Sequence, residues 1–68
     1  MQDELQTVRS VVLSMHPSAV YQESVFVNGQ NGLAYKFRTS EARVLYAWVS
    51  ISGDGNELVT VANALPPS

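Results

Sequence analysis

Two clusters of turn-forming residues, Asn28-Gly29-Gln30-Asn31-Gly32 and Gly53-Asp54-Gly55-Asn56, punctuate this chain between stretches that alternate like β-strands. Leu33 to Thr39 alternates cleanly, with Leu33, Tyr35 and Phe37 on one side and Ala34, Lys36 and Arg38 on the other. Residues 19–27 alternate as well: Tyr21, Val25 and Val27 against Val20, Gln22, Ser24 and Phe26. Val44 to Ser52 is rich in β-branched and aromatic residues, and Glu57 to Leu65 reads as a last strand. Short links between successive strands favour antiparallel neighbours.

Residues 3–15 carry the other periodicity. Leu5, Val8, Val12 and Met15 recur at helical spacing, and Val11 widens the stripe. Asp3 suits the N-cap, with Gln6 three residues on. His16-Pro17 ends the helix, because proline disfavours helical geometry in the residue before it. The pattern predicts an α+β fold of two layers: one N-terminal helix packed on a four-stranded antiparallel β-meander, in the order α-β-β-β-β. Residues 40–51 also fit a helix, with Ser40 as its cap and Val44, Leu45, Trp48 and Ile51 as its stripe. Their β-branched content favours the strand.

A one-residue slip in pairing exchanges the faces of a strand, so register can be tested by pattern. Reading Asp54-Gly55-Asn56 as a three-residue loop sets Ile51 opposite Val59, Val49 opposite Val61 and Leu45 opposite Leu65. Reading Gly29-Gln30-Asn31 likewise sets Val27 opposite Leu33 and Val25 opposite Tyr35. In the middle pair, Phe37 opposite Leu45 puts Tyr35 by Ala47 and Leu33 by Val49. All three give an apolar face for the helix to cover. Glu23 is the misfit, since this register puts a carboxylate on that face beside Phe37. Asn63 raises the same problem on the last strand.

The opposite face is the candidate site. Phe26, Lys36, Arg38, Tyr46 and Trp48 share it, with Lys36 opposite Tyr46 and Ala34 opposite Trp48. Aromatic residues and arginine are the types enriched at protein interfaces. The expected function is a small non-enzymatic interaction module, an adaptor or inhibitor that regulates a larger protein or pairs with itself. A homodimer is favoured by size, because 68 residues bury only about 60% of the unfolded surface. The alternative is a single-stranded nucleic-acid binder, with bases stacked on the rings and cations along the backbone. A formal charge of −2 and only four cations weigh against it.

Other chemistries find little footing. Without cysteine there are no disulfides or thiolate metal sites, and one histidine precludes a multi-histidine site within one chain. No metal or other cofactor is expected. His16 reads as a helix-end residue without a nucleophile beside it. Asp54, Asn56 and Glu57 make only a fragment of a calcium loop, and neither glycine cluster leads into a helix that could hold phosphate. No apolar run approaches the ~20 residues of a membrane span, and the polar start is unlike a secretory signal. Beginning at Met1 and without a tag, the chain is expected to be one complete cytoplasmic domain over residues 1–68, frayed at 66–68.

Overall fold

A computed structural model describes residues 4–27 and 32–65. The fold is α+β: helix α1 (Glu4–Met15), then strands β1 (Val20–Phe26), β2 (Leu33–Arg38), β3 (Val44–Ile51) and β4 (Glu57–Ala62). The strands form one open antiparallel sheet in the order β1-β2-β3-β4. Residues 44–51 are therefore strand, and the rival helix over 40–51 is excluded. The expected N-cap Asp3, the loop Gly29-Gln30-Asn31 and the tail 66–68 lie outside the described residues.

The helix packs on one face of the sheet, mainly over β3 and β4. Val8 and Val12 are fully buried and meet Tyr35, Phe37, Leu45 and Ala47. Leu5 and Leu13 complete the contact, while Met15, expected in the stripe, is exposed. Leu13, in the same turn, packs against the core instead. The helix closes with the His16 amide donating to the Val12 carbonyl at 2.7 Å, and Ala19 then donates to His16 at 2.9 Å. The Ser40 amide donates to Ser18 Oγ at 3.1 Å, tying this link to the β2–β3 loop.

The middle ladder is the expected one: Phe37 opposite Leu45, Lys36 opposite Tyr46, Ala34 opposite Trp48. The outer two ladders differ. On β1 a bulge at Gln22 interrupts the register, so Tyr21 pairs with Phe37 but Glu23 pairs with Lys36. Beyond the bulge Val25 stands opposite Ala34, and Phe26 opposite Leu33. Every side chain after Gln22 thus changes face relative to simple alternation. The exchange satisfies both layers. Tyr21 keeps its edge-on contact with Phe37, ring centroids 5.8 Å apart, and Glu23 escapes the core to an exposed position.

The β3–β4 ladder is shifted by two residues from expectation. Val49 pairs with Val59 and Ile51 with Glu57. Two residues leave the faces unchanged, so the apolar pattern does not register the difference. The physical cause lies in the turn. The loop is Gly53-Asp54-Gly55 and not Asp54-Gly55-Asn56, closed by the Ser52 amide to the Asn56 carbonyl at 2.8 Å, and Gly55 at its third position takes a positive φ of 88°. β4 ends at Ala62, so Asn63 and Leu65 are exposed and Leu65 does not face Leu45.

Candidate functional site

The sheet face away from the helix is built from alternate residues of the four strands. One row across it runs Glu23, Lys36, Tyr46, Ala62, and the next Val25, Ala34, Trp48, Thr60. Val20, Arg38 and Val44 form a row beyond, and Ser50 with Leu58 another on the opposite side. Lys36, Arg38, Tyr46 and Trp48 therefore share this face, as the sequence predicts.

Phe26 does not. The bulge sends it to the helix side, opposite Leu33, where it is 83% exposed. It belongs to another apolar edge. Phe26 pairs with Leu33, Val49 pairs with Val59, and Ile51 follows Val49 on the same face. Ile51 is 64% exposed. Sequence reading missed the bulge, although the carboxylate of Glu23 on the core face was its signal.

Trp48 is on the expected face but is not an open platform, for only 9% of its surface is exposed. It forms a second small core with Val27 and Ala34, against which Tyr46 and Ala62 pack. Ala34 is fully buried opposite it, and this smallest side chain leaves room for the indole. What remains accessible is a rim. Tyr46 is half-buried, Arg38 is exposed, and the apolar Val20 and Leu58 are both more than half exposed. The charge pattern is mixed, because Glu23 stands directly across from Lys36.

Among the described residues, the tip of the β3–β4 hairpin is the most densely hydrogen-bonded polar group. The Ser52 hydroxyl donates to Asp54 Oδ1, the Asn56 amide donates to the same oxygen at 3.3 Å, and Asn56 Nδ2 donates to Oδ2 at 3.0 Å. The Ser52 bond is the first cause holding the Asp54 carboxyl below its ordinary value, and the Asn56 amide the second. The bonds close within one loop, which marks a turn-stabilising device rather than an ion ligand set. Among the described residues, no group of three His, Cys, Asp or Glu side chains comes together as a metal site. Among them, too, no helix is long and apolar enough to cross a membrane.

Compared with known proteins, the chain matches no family model, no curated protein and no solved structure.

Proposed function

We propose that this chain is a small protein-interaction module, an adaptor or inhibitor acting on a larger protein, with no chemistry of its own. The outer sheet face carries the reading. Among the described residues, the helix seals one side of the sheet only. On the other, a packed Trp48 floor is rimmed by Tyr46, Arg38, Val20 and Leu58. Exposed apolar groups on one face with an aromatic and an arginine, Val20 standing directly opposite Arg38, are what a protein partner buries. The buried indole serves as a rigid support under the contact, which keeps the rim in place without an ordering cost on binding.

Single-stranded nucleic acid suits the same face less well. Stacking needs an accessible ring, and Trp48 is buried while Phe26 is on the other side. Glu23 also stands beside Lys36, where a phosphate would approach. The cysteine-free composition fits work in the reducing cytoplasm.

Crosslinked capture from the native host tests the reading. Proteins bound by the unaltered chain should be lost by both Val20→Asp and Arg38→Glu, and retained by Glu41→Lys in the β2–β3 loop. Capture indifferent to the two face substitutions refutes it. Oligonucleotide binding that weakens steeply with salt, also lost in Arg38→Glu, would establish the nucleic-acid alternative instead.

A further inference from the structure

We infer that two copies of this chain pair through the free edges of β4, antiparallel about a two-fold axis at Thr60, to make one continuous eight-stranded sheet. The inference goes beyond the interaction-module reading, because it rests on the backbone edge of β4 and not on Arg38, Tyr46 or Val20 of the outer face.

The open sheet has two edge strands, β1 and β4, and they are not alike. β1 is protected: a bulge breaks its ladder at Gln22, and Gln22, Glu23 and Ser24 are exposed along it. β4 has no bulge, and its one charged residue, Glu57, stands at its first position. Its six residues, Glu57-Leu58-Val59-Thr60-Val61-Ala62, pair with β3 without interruption and include no proline and no cation. Such an edge is a template for another strand.

Backbone geometry says which groups it offers. The Ser52 amide bonds to the Asn56 carbonyl, so this pair is of the hydrogen-bonded kind. These pairs alternate along an antiparallel ladder, so Leu58, Thr60 and Ala62 bond to β3. The N–H and C=O groups of Glu57, Val59 and Val61 therefore point to the open edge.

Side chains select a second copy as the occupant, and its register. A two-fold perpendicular to the sheet keeps helix-side residues opposite helix-side residues. Centred on Thr60, it sets Val59 opposite Val61 on the helix side and Leu58 opposite Ala62 on the outer side. Thr60 meets its own copy, a cross-strand pairing that favours hydroxyl contact. Glu57 falls opposite Asn63, so no like charges meet. Centring on Val59 would oppose Glu57 to Val61, and centring on Val61 would oppose Val59 to Asn63. Of the three, only the Thr60 axis sets every apolar residue of β4 opposite another apolar residue.

The helices agree with this arrangement. α1 packs over β3 and β4, next to the seam. A two-fold perpendicular to the sheet keeps both helices on the same face of the joined sheet.

Sedimentation equilibrium up to about 1 mM tests the pairing. The chain should dimerise, and Thr60→Lys, which opposes like charges on the axis, should weaken the dimer more than about tenfold while keeping a cooperative melt. The chain has no cysteine, so Thr60→Cys should give a disulfide-linked dimer in an oxidising buffer far faster than Val20→Cys on β1. Amide exchange of the unaltered chain adds an independent readout: Val59 and Val61 should gain protection as concentration rises. A strict monomer, a dimer unaffected by Thr60→Lys, or equal crosslinking at Val20 overturns the inference. Exchange at Val59 and Val61 that ignores concentration does so even if Thr60→Lys fails to fold. A monomer that still captures partners through the outer face refutes the pairing alone. A β4 dimer without outer-face partners refutes only the interaction-module reading.

Discussion

Ala42 and Gly55 occupy the same position in two hairpin loops of one geometry. In each, the third loop residue has a positive φ, 62° at Ala42 and 88° at Gly55. In each, its amide donates back across the turn at 2.9 Å, to Thr39 and to Ser52 respectively. Thr39 and Ser52 then close the loops by donating to Arg43 and Asn56. The left-handed region suits glycine and costs other residues about 1–2 kcal/mol. Ala42→Gly should therefore stabilise the chain, by up to about 1 kcal/mol after the added freedom of the unfolded glycine is counted. Gly55→Ala should destabilise it by about 1 kcal/mol through backbone strain alone, since no atom lies within 4 Å of the added methyl. Urea unfolding of both variants measures the pair.

Trp48 over Ala34 forms the core of the outer face. Trp48→Ala should cost about 3–5 kcal/mol, the range for a buried aromatic truncated to alanine. Ala34→Leu should cost about 1–3 kcal/mol by overfilling the same space. Native tryptophan emission should be blue-shifted and resistant to acrylamide quenching. Red-shifted, freely quenched emission would contradict the buried indole.

Tyr35 reaches from the sheet to the helix, its hydroxyl donating to Glu4 Oε1 at 2.8 Å in the first turn of α1. Tyr35→Phe keeps the packing against Tyr21 and removes that donor. A loss of about 1 kcal/mol is expected. Glu4→Gln should cost less, because an amide oxygen still accepts. Denaturant midpoints at constant m distinguish the two.

Acid should loosen the β3–β4 turn. Bonds from Ser52 and Asn56 depress the Asp54 carboxyl below its ordinary value of 3.8. A depressed carboxylate contributes stability that is present above the unfolded value and is lost as pH falls through the folded one. The contribution should thus be intact at neutral pH and begin to fall near 3.8. Asp54→Asn should abolish this acid-linked component. Amide exchange at Asn56 and Gly55 across the acid range follows it.

Phe26 gives a clean test of the bulge. Exposed on the helix side, it should tolerate Phe26→Ser within about 0.5 kcal/mol. Val25→Ser should cost more, because Val25 lies opposite Ala34 at the rim of the tryptophan cluster. NMR contacts between the Val25 and Ala34 backbones report the register directly.

The sequence by itself carried the N-terminal helix, the strand-like alternation and the register of β2 on β3, while the choice of strand over helix for residues 40–51 was decided by the fold. Phe37, Tyr35 and Leu33 alternate without a break, and only one pairing sets them against Leu45, Ala47 and Val49 while leaving Lys36 and Arg38 outside. Alternation carries parity and little else. A shift of two residues at β3–β4 preserves parity, so only the turn, with Gly55 in place of Asn56, selected the pairing of Ile51 with Glu57. The bulge at Gln22 reverses parity, and it rests on partners far along the chain: Phe37, which holds Tyr21, and the Ala34–Trp48 space, which draws Val25 and Val27 to the other face. Burial of the indole was likewise a tertiary outcome. Side-chain volume across the sheet decides it, and no local pattern encodes the size of a neighbour on another strand.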